Sequence, residues 1–572
     1  MTGPARTWVD GPAGGTPINA ARLNGMEADI AAGKDTAFNV MRYGATGFGL
    51  LDETAAVQAA ADALAAAGGG TLFFPPGTYY IPGAVWIGNT HSHITINGPG
   101  ATLVKKFAAD PSYSFFNGTS GSTKGYGAGC NNITLRNITM QGKFGAGGRV
   151  ACAMALNHSD WVTVENCKFT QMSGAGHRFD LAGCRFVTFR DCIFEGFDTS
   201  YGQYYPEDIQ LDSSNATGNS FPEPDTNCFD GLPTVHVTVD NCKWLPLKIG
   251  ATTYPAANAF GSHGGMENAY NENIIFSNNY VEGSVDDSSQ SYTNGALHFV
   301  ATKNLRIHNN VFVNTGSTQT RAIWCRTTTS VTALVDAGNA GAAAITLTTP
   351  YVSSDVVIEN NKYIGYKATG TTTPVVNVLG FNGGSRVPVM GVSVSGNRFK
   401  DCSASNGVTN NGSELITITT ADNVSTDGNR ADSCRRLVSL SDSNGFSLGG
   451  NVVSNVANSA LAFSNCSYGS VSNNIVRAAN GTALNSTGVS FTSIVGNTVA
   501  LTAGVTGSAF SLTTTNVTIL DNNISNTGGN TGINLTSPVR TLVQGNLVAG
   551  FTTPINPAST TGTLTVQNNV TY

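Results

Sequence analysis

Three segments decide the fold: Val162-Thr-Val-Glu-Asn-Cys-Lys-Phe169, Val187-Thr-Phe-Arg-Asp-Cys-Ile-Phe194 and Val237-Thr-Val-Asp-Asn-Cys-Lys-Trp244. Each is a short apolar alternation, then a polar residue with a cysteine, then an aromatic. The frame returns with a second Asn in place of Cys in Ile274-Ile-Phe-Ser-Asn-Asn-Tyr280, Leu305-Arg-Ile-His-Asn-Asn-Val-Phe312 and Val356-Val-Ile-Glu-Asn-Asn-Lys-Tyr363. It continues through Asn397, Asn429, Asn451, Asn474, Asn497, Asn523, Asn546 and Asn569; from Asn429 onward the steps are 22, 23, 23, 26, 23 and 23 residues. A period near 23 with short strands is the mark of a stacked solenoid, because one coil cannot bury its inward row alone. Coils that pile up about 4.8 Å apart place like residues above one another. Asn at the bends accepts left-handed backbone and bonds its neighbours into a ladder. The Leu-x-x-Leu-x-Leu frame of leucine-rich repeats is absent, and propeller blades need about 40 residues. The expectation is an all-β, parallel β-solenoid.

Composition agrees. The chain has 572 residues, 67 of them Gly, with 12% charged residues and a net charge of −6. Gly, Asn, Ser and Thr favour turns over helix interiors. No basic block is present, which argues against a nucleic-acid partner. No apolar run reaches the ~18 residues of a membrane span. The first ten residues lack the charged-then-apolar start of a signal peptide, so the chain is expected either to stay inside its cell or to leave it by another route, such as lysis. The eleven cysteines form no CxxC pair and sit after apolar alternations, as reduced core packers do.

The chain divides into a leader over 1–36, a β-helix carrying a groove over 37–400, and further coils over 401–572 that serve as scaffold or trimer stem. Within the leader, residues 19–32 read as briefly helical. Asp52 to Gly68 reads as a helix with Asp52 as N-cap and the Gly68-Gly69-Gly70 run as its stop. A solenoid needs its open end covered, and this helix is the expected lid.

The stretch Phe38-Asn-Val-Met-Arg-Tyr-Gly-Ala-Thr-Gly-Phe-Gly49, then Asp52-Glu-Thr-Ala-Ala-Val-Gln58, then Gly68-Gly-Gly-Thr-Leu-Phe-Phe-Pro-Pro-Gly-Thr-Tyr79 resembles the opening of the pectate-lyase superfamily. That resemblance implies a right-handed β-helix acting on polysaccharides. Thr7 to Asn24 resembles the leader of phage minor tail proteins. Together they resemble a tailspike or depolymerase, which implies a homotrimer in the virion, phage tail or baseplate proteins as partners, and a host cell-surface polysaccharide as substrate.

Between the ladder segments lie other short strands, among them Arg178-Phe-Asp-Leu-Ala182, Asp208-Ile-Gln-Leu-Asp212, Ala259-Phe-Gly-Ser-His263, Ala296-Leu-His-Phe-Val300 and Ala322-Ile-Trp-Cys-Arg326. If Ile209 and Leu211 point inward, alternation sends Asp208, Gln210 and Asp212 outward. Three outward columns follow: Arg178 over Asp208, Asp180 through Gln210 to His298, and Asp212 beside His263. Asp180 is one coil step and one strand step from Asp212, about 8 Å, and equally far from Asp208. Carboxylates ~6.5–9.5 Å apart suit inverting glycoside hydrolysis. The candidate catalytic residues are therefore Asp180, Asp208, Asp212 and His263, the last tuning Asp212. Arg178, Glu207, Gln210, His298, Trp324, Arg326 and Tyr205 are the candidate substrate contacts, with long insertions over 213–234 and 245–258 as groove walls. Any one of these Asp residues alone is as readily a solvated turn. Their concentration on one face of a charge-poor chain favours a site. Gly261-Ser-His-Gly-Gly265 also resembles the Gly-His-Gly of the polygalacturonase branch, with an inserted Ser. No resident cofactor is expected for a hydrolase. A lyase, using Arg178 or Lys248 as base, would call for Ca²⁺; a receptor fibre would bind glycan without cleaving it.

Overall fold

The computed structural model describes residues 37–572 except 108, 113, 146–147, 149–151, 173–176, 201–206, 216–227, 263, 286–294, 316–320, 333–343, 368–373, 403–413, 506 and 558–561. The leader, its short helical stretch, Tyr205 and His263 thus lie outside the described residues.

Short strands stack coil on coil into one parallel 45-stranded sheet that closes as a solenoid. The three deciding segments stack on one another with Val162, Val187, Val237 and Ile274 in one row. Their inward rows make one continuous core from Val40 to Phe551. Inside it the aromatic that closes each segment stacks on the next. Phe169, Phe194 and Trp244 follow at 5.0 and 4.6 Å, and Phe312, Tyr363 and Phe399 at 5.3 and 4.8 Å.

The bends carry the Asn ladder. Asn451 donates through Nδ2 to Asn474 Oδ1 at 2.9 Å, and Asn474 to Asn497 at 2.8 Å. The next rung is Asn522, not Asn523. The Asn-Asn pair is ambiguous by one residue in sequence, and Asn523 instead begins the following strand. The first residue of each pair takes left-handed backbone, as at Asn166, Asp191 and Asn241. The second is buried, and the cysteines hold this place in the earlier coils: Cys242 donates its N–H to Asn279 at 2.7 Å. All eleven cysteines are buried.

Helix α1 (Thr54–Ala66) buries Val57, Ala60, Ala61 and Leu64 against the first coils, as a lid must. Glu53, not Asp52, is its capping residue. Asp52 accepts the Thr54 N–H at 2.8 Å from one position further out, while the Glu53 carboxylate turns back to Thr46 and Gly47. Coils continue past residue 400 in the same sheet to Val570–Thr571. Among the described residues no helix is long and apolar enough to cross a membrane.

One face positions the candidate site. Its strands are β1 (Cys152–Asn157), β2 (Phe179–Ala182), β3 (Glu207–Asp212), β4 (Asn258–Gly261), β5 (Leu297–Val300), β6 (Ile323–Arg326) and β7 (Val376–Leu379). Each pairs with the next in parallel.

Candidate active site

Phe179 and Leu181, Ile209 and Leu211, and Leu297 and Phe299 all enter the core. The residues between them therefore point out of the coil. The register places Asp180 beside Gln210, Gln210 beside Gly261, Gly261 beside His298, and His298 beside Trp324. This is the column expected from sequence. Asp212 lies on the same wall, beside Ala182. One coil step and one strand step separate it from Asp180, about 8 Å.

Arg178 and Asp208 form the expected pair, with Arg178 Nη1 to Asp208 Oδ2 at 2.6 Å, but it faces inward. Arg178 Nη2 donates to the carbonyls of Glu195 and Gly196, and its guanidinium lies 5.8 Å from the centre of the core residue Phe194. Both side chains are fully buried. The reason is local. At the corner that opens each strand, two consecutive residues face the core, as with Ala322 and Ile323, Val375 and Val376, and Leu415 and Ile416. Strict alternation fails there, so Asp208 leaves the outward set. Glu207, one residue earlier, joins it: Glu207 Oε1 lies 3.8 Å from His298 Nδ1.

The outward groups are covered rather than open. Asp180, Glu207, Gln210 and His298 expose 1% or less of their surface, and Asp212 8%. Trp324 and Arg326 are half-buried and mark the accessible end. The Arg326 Nε–H donates to His298 Nε2 at 2.9 Å, which leaves the ring proton on Nδ1, facing Glu207. Arg321 lies 4.0 Å over the Trp324 ring, and His298 packs against the same ring at 5.1 Å. Trp324 is therefore engaged by cationic and imidazole groups as well as available at its edge.

Burial sets the protonation. It pushes the Glu207 carboxyl up to about 8, although the Arg326 charge opposes the rise. Burial, then the charge on Asp180, holds Asp212 well above the usual carboxylate range. Gln210 Nε2 donates to Asp212 Oδ1 at 3.4 Å and pulls in the other direction. Among the described residues, neither Glu207 oxygen, nor Asp212 Oδ2, nor Gln210 Oε1 has a hydrogen-bond partner. A buried polar atom left so is costly unless a ligand or water completes it. Among the described residues no group of three His, Cys, Asp or Glu is placed to hold a metal ion.

Two neighbours escaped the sequence reading. The His177 ring donates to the Glu207 carbonyl oxygen at 2.7 Å, and burial lowers its ring to about 4. Because the partner is a carbonyl oxygen, Nδ1 is the donor. Arg321 stands over Trp324. Coil register, carried one residue ahead of each inward pair, would have found both. The insertions also resolve in part. Leu247–Ile249 and Thr252–Tyr254 form a hairpin whose Tyr254 packs on Phe144 at 4.9 Å. Asp230 accepts from the His158 ring at 2.8 Å, an ion-pairing contact that gives both residues a place beside β1.

Residues 37–202 match a family described as "Rhamnogalacturonase A/epimerase, pectate lyase-like". The resemblance read from residues 38–79 is thus borne out over the N-terminal coils. Two curated relatives are the plasmin and fibronectin-binding protein A of Streptococcus pneumoniae, 30% identical over 230 residues, and the mannuronan C5-epimerase AlgE1 of Azotobacter vinelandii, 34% identical over 111 residues. The matches cover 36% and 18% of this chain but only 31% and 8% of those proteins. Among solved structures, the S. pneumoniae surface adhesin PfbA superposes with a TM-score of 0.52 at 21% identity, covering 76% of this chain and 93% of that one. A tailspike protein of E. coli bacteriophage HK620 in complex with pentasaccharide gives 0.47 at 14% identity, covering 94% and 79%. The adhesin match shows a shared β-helix fold.

Proposed function

We propose that the chain is a polysaccharide depolymerase that hydrolyses glycosidic bonds with inversion, using the carboxyls of Asp180 and Asp212. The observation that carries this reading is their place on one outward wall, one coil step and one strand step apart; that backbone spacing is about 8 Å, and carboxyls ~6.5–9.5 Å apart leave room for an attacking water. Asp212, held protonated by burial and by the charge on Asp180, donates its proton to the leaving glycosidic oxygen. Asp180 takes the proton of a water that attacks the anomeric carbon from the opposite side. Glu207 and Gln210, with oxygens unpartnered in the cluster, hold sugar hydroxyls. Arg178 and Asp208 act from within, fixing the start of β2 and β3. Relatives named for rhamnogalacturonan and mannuronan chemistry support a polysaccharide substrate.

A second reading is favoured by the cationic end of the site. Arg321 and Arg326 flank Trp324 and suit the carboxylate of a uronate, on which a lyase would act by elimination. The test incubates envelope glycan with the wild-type chain and with Asp180→Asn and Asp212→Asn. Shortened polymer with new reducing ends, lost in both variants, supports hydrolysis. New absorbance near 235 nm would replace it with the lyase. Binding without any change in polymer size would leave a receptor fibre. The reading extends to a homotrimer on a phage tail acting at the host surface; light scattering of the full chain tests the trimer.

A further inference from the structure

The neighbouring face of the solenoid carries a different feature. One residue before each ladder segment, the chain turns through left-handed backbone. Asn132, Asn273, Asn304, Asp355, Gly391 and Asn423 fill this position in several coils, as its geometry favours, and Tyr468 and Phe491 hold it as a separate stacked pair in the upper coils. In three successive coils it holds Trp161, Phe186 and His236, with φ of 59°, 57° and 56°. A bulky side chain there is a backbone outlier, and such outliers persist mainly where they serve a site.

These three rings stack on one another at 4.3 and 4.9 Å, within 18° of parallel. Trp161 is 56% exposed. Short Asn residues stand at both ends of the stack, Asn132 below Trp161 and Asn273 above His236, by the register of the adjoining strands. Two residues along runs a second row, Thr134, Thr163, Thr188 and Thr238, aligned coil by coil. The two rows border an open groove of about 530 Å³. It adjoins another of about 500 Å³ that shares His236 and adds Tyr126, Tyr270 and Lys303. From Asn132 to Asn273 is four coil steps, about 19 Å, the length of an oligosaccharide rather than one sugar.

We propose that this face is a second, non-catalytic glycan-binding groove. Aromatic groups on one side take the apolar C–H faces of the sugars, and an evenly spaced row of hydroxyls on the other takes their hydroxyl groups. A protein-binding surface would instead present a contiguous apolar patch; here hydroxyls alternate with the rings at every coil. The groove lies on a wall other than that of Asp180, so it holds the polymer while the catalytic face works.

The test uses the full chain carrying Asp180→Asn, on an array of neutral and uronate-containing oligosaccharides of four to ten sugars. The same chain carrying Trp161→Asn, Phe186→Asn and His236→Asn is run beside it. Asn is what other coils place here, so folding is preserved and is verified by an unchanged or raised Tm. The expected result is a loss of at least tenfold in glycan retention in the Asn variants. With Asp180 restored, cleavage of a short soluble oligosaccharide is unchanged. Equal retention with and without the aromatic rings, or no retention by the parent chain, overturns the proposal. So does a concentration-dependent mass change that Trp161→Asn abolishes without any effect on glycan, which would make the groove an interface between copies.

Discussion

The coils before and after residue 400 share one scaffold and differ in what it carries. Followed upward through the register, the outward column of the candidate face reads Ala155, Asp180, Gln210, Gly261, His298, Trp324 and Asn377. It then continues as Thr417, Ser439, Ala462, Asn485, Ser511 and Asn534. The lower part gathers ionisable and aromatic groups; the upper part is small and polar. At the inward corner the lower coils place Arg178 and Asp208 where the upper ones place Leu415, Leu437 and Ala460. Regular coils carry the scaffold, and departures from regularity mark the candidate site.

The sharpest way to break this contrast is to erase the departures one at a time. Asp180→Asn and Asp212→Asn should each lower cleavage by about 10²–10⁴-fold, the usual weight of a general acid or base, with little change in Tm. A Thr417→Ala change in the upper part of the same column should leave cleavage alone.

Asp208→Ala should cost about 3–5 kcal/mol, because it strands a buried guanidinium. Replacing both members, Arg178→Met with Asp208→Leu, makes the corner resemble Leu415 and should restore most of that loss. Urea melts of the single and double variants check both values. If the single change is harmless, the pair is not the interior contact described.

In the upper coils, Asn474→Ala removes a side chain that bridges Leu448 and Asn497 and accepts from Asn451. Buried partners left unsatisfied should cost about 1–3 kcal/mol, again read by urea melts.

One more effect concerns pH. Glu207 holds its proton in the folded chain up to about 8, against 4.5 as its ordinary value. Between these values the folded state binds more protons than the unfolded one, so stability falls as pH rises. The favourable contribution is complete below about 4.5 and lost on passing about 8. Asp212, also raised, acts in the same sense. Glu207→Gln should therefore flatten the decline of Tm between pH 5 and 8, and an unchanged slope would place the effect elsewhere.

Repetition made the scaffold legible. Equivalent residues recur near every 23 positions, and stacking turns that recurrence into register; the column from Asp180 through Gln210 to His298 follows from aligning inward apolar residues. Its limits were local. Asp208 was misread because alternation assumes a straight strand, whereas the chain enters β3 around a corner. The sign was present in the apolar residues that other coils place there, such as Ala259, Ala296 and Ala322. Asn522 and Asn523 could not be ordered because both fit the bend. Burial of the whole cluster was invisible, since it depends on what lies over the face. The ring stack of Trp161, Phe186 and His236 sat in plain view one residue before each deciding segment, but only backbone angles reveal that these rings occupy a position suited to Asn or Gly.

The most direct test of the acid and base assignment is proton NMR of the reducing end first formed from the natural glycan. Hydrolysis by two carboxyls about 8 Å apart predicts the inverted anomer first, with none formed by the Asp212→Asn chain. A retained anomer, or an unsaturated sugar at the new end, would contradict the account.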